Sequence, residues 1–291
     1  MSAQFLQFLL SGLTVGAIYA LAALGFTIVY NASNVINFAQ GEFIMLGGML
    51  AVYFVHAGLP LPVALALAVL TPAMVGFLMA RLTIVPIKDA ETVALIIVTI
   101  GASQVVRGAI QVSLGKGSHG LPAFSGDVPI RIFGAALMPQ CLWVIGVSAL
   151  IVAGLWLFFN RSRTGKAVLA TSFNKLAAEL VGINTDRVLL ISFVMSAGIG
   201  ALGGILITPI TLTSFDIGIM LGLKGFIAAV LGGLGSGPGA VVGGILVGLM
   251  EAFGAGYLSS SYKDAIPFVL ILVILFVIPR GLFGAKTMER V

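Results

Sequence analysis

Apolar residues run through this chain in long blocks, at roughly 5–30, 36–56, 62–82, 92–111, 140–159, 187–208, 217–235, 238–257 and 264–280. Each block has about the ~20 residues a helix needs to cross a hydrocarbon core. The runs are continuous, whereas strands of a membrane barrel alternate apolar and polar faces. The pattern predicts eight or nine spanning helices in an all-α bundle. Between 160 and 187 it changes. Leu169, Phe173, Leu176, Leu180 and Ile183 recur at the spacing of one helical face, while Lys166, Asn174, Lys175 and Glu179 fall mostly off it. This predicts a single amphipathic helix over 164–182, with Gly182 closing it in a left-handed cap and Asn184 just beyond. Such a helix either lies on lipid headgroups or presents its stripe to a partner in water.

Composition agrees with lipid as the solvent. Of 291 residues, 59% are hydrophobic and only 9% charged, against about 25% charged in soluble domains. One polytopic domain over 1–291 is expected, with a cytoplasmic segment 160–187 and an outer loop 112–139. The 38 glycines read as sites of close helix approach. A lone Cys141 excludes an internal disulfide and any cysteine-rich metal site. No Lys or Arg precedes Arg81, so no cleavable signal sequence is expected.

Charge orients the bundle. With 160–187 in the cytoplasm, counting spans outward puts Arg81, Lys88, Arg280, Lys286 and Arg290 there too, with Arg161, Arg163, Lys166, Lys175 and Arg187. Basic residues gather on that side. Lys116, Arg131 and Lys263 fall outside, and the amino terminus becomes extracytoplasmic. The loop 112–139 is the largest outer surface, with a short hairpin expected around Asp127–Pro129. The basic balance thus reports orientation rather than nucleic-acid binding.

Polar groups inside spans are costly and need partners or a water path. Asn31, Asn34, Asn37, Gln40 and Glu42 cluster at what reads as the cytoplasmic end of the second span. They are either an interfacial turn with Asn34 as N-cap or the break in a helix that opens a pathway. Lys224 and Glu251 fall at matching depths, each about 10 Å below the outer surface at ~1.5 Å per residue, and are expected to pair or to line an outer vestibule. Arg107 reads as snorkelling to water from the outer end of its span. His56 and His119 are isolated. No constellation for catalysis or metal binding is evident.

Five stretches in consistent order carry a resemblance: Gly16–Gly25, Asn37–Glu42, Ala177-Ala178 with Gly182-Ile183-Asn184, Gly232–Gly239, and Pro279–Phe283. Together they resemble the inner-membrane permease subunits of bacterial ABC importers for branched-chain amino acids. The resemblance implies a second permease subunit or second copy, two cytoplasmic ATPases and an extracytoplasmic solute-binding protein. It also implies that Leu169, Phe173, Leu176, Ala177, Ala178, Leu180 and Gly182 seat the ATPase. Leu176 stands where that family has Glu, which replaces a polar contact by an apolar one. The chain has no G-x-x-x-x-G-K-[ST] motif, so ATP and magnesium belong to partner chains, no cofactor is expected here, and this chain is not itself an enzyme. The run 232–239 reads as a tight helix–helix turn. Permeases for ureas, amides or sugars are the nearest alternatives. An ATP-independent transporter or channel is a further one, weakened because Glu42 and Glu251 read as lying off the midplane.

Overall fold

The fold is taken from a computed structural model that describes residues 3–132 and 134–284; Lys286 and Arg290 lie outside them. Among the described residues there are eleven α-helices: α1 (Ala3–Ser33), α2 (Gln40–His56), α3 (Leu61–Met79), α4 (Thr92–Leu114), α5 (Pro139–Arg161), α6 (Arg163–Phe173), α7 (Lys175–Leu180), α8 (Thr185–Thr211), α9 (Ile217–Gly232), α10 (Gly237–Tyr257) and α11 (Ala265–Val277). Six are long and apolar enough to cross a membrane: α1, α3 with its π and 3-10 tail to Ile87, α4, α5, α8 and α10. The windows 36–56, 217–235 and 264–280 hold shorter apolar helices of 17, 16 and 13 residues. Non-α backbone takes the rest of each window: 36–39 before α2, 233–235 after α9, and 264 with 278–280 around α11.

Helices α1 and α8 form the centre, and their apolar residues face other helices on nearly all sides. In lipid no water drives helices together, so close van der Waals contact does that work. Gly12 and Gly16 of α1 meet Gly244 and Gly248 of α10. A Cβ at Gly248 would lie 2.3 Å from the Gly16 Cα, and one at Gly244 would lie 2.4 Å from the Ala20 Cα. The same logic joins α2 to α8, where a Cβ on Gly47 would lie 2.2 Å from the Ala201 carbonyl oxygen. By contrast α3, α4 and α5 sit at the periphery with much of their apolar surface uncovered.

Two ends are distinguishable. At one, Gln7 hydrogen-bonds to both the N–H and the carbonyl of Ala136, and His119 pairs with Thr213. At the other, Lys88 holds Asp186, and Asn31 donates to the Gly235 carbonyl. The first end carries the segment 115–138, with a hairpin of β1 (Ile130–Ile132) and β2 (Ala135–Leu137). The hairpin lies just after Asp127–Pro129 rather than around it, because Gly134 at φ +86° supplies the turn. The run 232–239 is the tight turn expected. Gly233 and Gly235 take φ of +100° and +91°, and the Ser236 hydroxyl accepts from the Gly239 N–H to start α10.

Candidate functional site

The amphipathic segment is two helices, not one. Asn174 adopts φ −159°, ψ 104°, which breaks the run, and its side chain accepts from the Ala177 N–H to restart it as α7. Asn favours such caps over helix interiors because its side chain competes for backbone N–H groups. Gly182 does take the left-handed conformation, φ +87°, with the Ile183 N–H returning to the Ala178 carbonyl, and Asn184 then caps α8.

The hook is fastened from within. Gly165 packs so tightly under α5 that a Cβ would lie 2.2 Å from the Phe158 carbonyl oxygen, and Val168 and Thr171 are buried. Ala178, expected on the docking face, is also buried. It anchors α7 to its own chain, because the break at Asn174 re-aims the face of the second helix. Leu169 is half-buried, while Ala177 and Gly182 are exposed. The remaining stripe stands clear: Phe173 is 89% exposed and Leu180 81%, with Leu176 and Val181 beside them. Val181, absent from the stripe read in the sequence, joins it. An uncovered apolar patch on a polar segment marks an interaction surface. Lys175 approaches Asp89 at 3.5 Å, and the Lys88–Asp186 hydrogen bond of 2.6 Å ties the loop after α3 to the first turn of α8. That bond with Asp186 holds the Lys88 ammonium above its usual range.

In the bundle, Lys224 and Glu251 pair at 2.9 Å, as expected from their positions. Sequence reasoning missed two further members. Asp264 accepts from Lys224 at 2.6 Å, and the Tyr19 hydroxyl donates to Glu251 at 2.7 Å. Asp264 went unread because it borders its apolar window, and only the fold of the 258–264 segment brings it inward. Glu251→Gln should reduce transport several-fold if this cluster serves the pathway, measured as solute uptake at matched expression; unchanged uptake would make the cluster purely structural.

Asn34 is not an N-cap. At φ +56° it ends α1, its N–H returning to the Tyr30 carbonyl; Asn tolerates that region better than most residues. The chain then runs irregularly through 34–39. Asn37 is buried, its side-chain amide oxygen accepting from the Ala39 N–H, and the Thr99 hydroxyl accepts from the Phe38 N–H. Gln40 is sealed among α1, α2 and α8. Its amide donates to the Ser196 carbonyl and accepts from the Ser196 hydroxyl, which also donates to the Gly25 carbonyl. It lines none of the cavities described here and acts as a clamp between helices.

Arg107 does not snorkel. It turns inward and pairs with Glu42, which is 2% exposed. Arg107 lies fifteen residues into α4 from Thr92, hence about 22 Å along that helix at ~1.5 Å per residue. Glu42 is in the first turn of α2. The bond therefore draws the start of α2 deep into the bundle, away from the Lys88 end, and Glu42 is not at the helix-bundle edge. The pair walls a cleft of about 160 Å³ between α2, α4 and α9, lined also by Phe26, Phe38, Phe226 and Ser103. No group of His, Cys, Asp and Glu among the described residues is placed to hold a metal ion.

A polytopic helical bundle with an internal polar cluster and a charged cleft is the build of a membrane permease. Residues 8–275 match the family described as branched-chain amino acid transport system, permease component. The chain is 35% identical to the permease protein LivH of Escherichia coli K12, called a high-affinity branched-chain amino acid transport system permease, over the whole of both chains. It is 33% identical to BraD of Pseudomonas aeruginosa, described in the same words, over 99% of this chain and 98% of that one. A solved structure titled PsaBC from Streptococcus pneumoniae in complex with Fab shares the fold at TM-score 0.54 and 15% identity, covering 96% of this chain and 97% of that chain. The chain belongs to the branched-chain amino acid permease family of ABC transport systems, and it is a multi-pass inner-membrane protein.

Proposed function

We propose that this chain is one permease subunit of an ATP-driven importer that carries leucine, isoleucine or valine inward by alternating access. The substrate class follows the relatives' descriptions. The uncovered Phe173–Val181 patch carries the mechanical part of the reading. It lies on the hook between α5 and α8, remote in sequence from the 112–139 loop, and a cytoplasmic ATPase seated on it would push on α5 through Gly165 and on α8 through Asp186. In this reading α1–α5 and α8–α11 all cross the membrane, the short helices included; the irregular entry to α2 is tolerated because Val35, Asn37 and Ala39 are buried in protein rather than exposed to lipid. The amino terminus and the 112–139 loop then face outward to a solute-binding protein, and 160–187 faces the cytoplasm. A second permease subunit completes the pathway, and ATP and magnesium are held and used by the two ATPases.

Phe173→Asp tests the docking. The side chain is exposed, so folding should persist, while a charge set against an apolar partner surface is costly. The variant is expected to reach the membrane normally, to lose co-purifying ATPase subunits, and to lose uptake at least tenfold. Normal recovery of the ATPases with Phe173→Asp would place the contact elsewhere.

A further inference from the structure

The cleft beside Arg107 has the chemistry of a site for an amino-acid zwitterion. It brings one cation and one anion side by side at the mouth of an aromatic wall. Phe226 stands between Phe26 and Phe38, with ring centroids 5.8 Å from each. Neither charge is fully satisfied. Among the described residues the second carboxylate oxygen of Glu42 and the Nε of Arg107 have no hydrogen-bond partner, although both atoms are buried. Buried charged groups in a bundle are costly when incompletely paired, and such groups mark solute paths. A ligand with its own paired charges would supply the missing bonds. The volume of about 160 Å³ is below the ~300–1,000 Å³ of drug-sized sites, which suits one small solute. Gly218 and Gly222 line it on the α9 side. A Cβ on Gly41 would lie 2.0 Å from the Gly218 carbonyl oxygen, so α2 and α9 meet backbone to backbone where the pair sits.

We propose that this cleft is an intramembrane subsite for the transported amino acid. Arg107 takes its carboxylate, Glu42 takes its ammonium group, and Phe26, Phe38 and Phe226 take its branched side chain. The proposal rests on the permease reading above. It explains why an ion pair persists deep in a lipid-embedded fold where an apolar pair of equal volume would hold α2 to α4 at least as well. It also makes the site selective. A solute lacking either charge leaves one protein charge unpaired, the situation in which binding sites discriminate most strongly.

The test uses the complete importer in nanodiscs and in transporting vesicles, with tritiated leucine as probe. The double variant Glu42→Gln with Arg107→Gln removes both charges together, so neither is left buried and unpaired, and the two amides can still hydrogen-bond, so a merely structural pair tolerates it. The proposal expects that variant to assemble with its partners, to bind leucine at least tenfold more weakly in the nucleotide-free complex without the solute-binding protein, and to lose uptake at least tenfold. It also expects 4-methylpentanoate and 3-methylbutylamine, each missing one charge, to compete poorly with leucine in the parent. Parental binding and uptake in the assembled double variant, or strong competition by either analogue, would overturn it. Should the double variant fail to assemble, Ser103→Leu decides, since it fills the cleft while keeping both charged side chains: a tenfold loss upholds the site and unchanged uptake rejects it. A parent complex that takes up no leucine at all points instead to the substrate reading on which the proposal rests.

Discussion

Replacing Lys224 by Met is expected to destabilise the bundle by about 3 kcal/mol or more, as one partner of a buried charge cluster is removed. Among the described residues Lys224 is the one cation contacting both Glu251 and Asp264, and it is 5% exposed. Its ammonium also lies 5.5 Å from the Tyr19 ring centroid, a further favourable contact. Without it, Glu251 of α10 and Asp264, just before α11, are left as two carboxylates with no cation between them. Glu251→Gln and Asp264→Asn each leave Lys224 one acid, so each should cost markedly less. Asp264 is also 45% exposed, and water screens its share. The order of loss, Lys224→Met well above either acid variant, can be read from thermal unfolding in detergent. Equal or reversed effects would mean that the cluster holds nothing together.

A second large effect is expected at Gly204, where adding a single methyl group should separate two helices. An Ala Cβ there would lie 1.8 Å from the Ile44 carbonyl oxygen and 2.8 Å from its carbonyl carbon. Those atoms belong to the α2 backbone and cannot rotate aside. In an open helix, Gly→Ala stabilises by roughly 0.5–1 kcal/mol. At Gly204 that gain is overwhelmed, because overpacking costs typically ~1–3 kcal/mol even among movable side chains. Gly154 in α5 is the control, since a Cβ there meets nothing within 4 Å. Gly204→Ala should lower the unfolding temperature in detergent and the yield of folded protein, while Gly154→Ala leaves both unchanged or raised. A neutral Gly204→Ala would show that α2 and α8 do not pack as closely as described.

These effects differ in how far they could be foreseen. The Lys224–Glu251 pairing is legible from the sequence, because two charges about two turns from the outer ends of neighbouring apolar helices have few other places to go. Asp264 was not, since its role depends on where an irregular segment runs. Arg107 was misplaced for a related reason. Span counting assumes that each helix starts at the membrane edge, whereas α2 starts deep in the bundle after an irregular stretch. The same assumption underlies one of the two alternatives for Asn34 and Glu42, the interfacial turn; the other, a break in the helix, did not depend on it. The amphipathic stripe was legible as a period, but the cap at Asn174 turned one helix into two and buried Ala178. A local hydrogen bond outweighed the periodicity there.

By itself the sequence determined the solvent, the helical class, the family and the existence of an amphipathic hook, because hydrophobic run length and residue period are properties of the chain alone. The depth of α2, the Glu42–Arg107 pair, the third member of the Lys224 cluster and the exposed half of the hook were decided only in three dimensions. Each depends on where the helices begin and on how closely glycine lets their backbones approach. Those are contacts between residues far apart in the chain, and no local pattern encodes them.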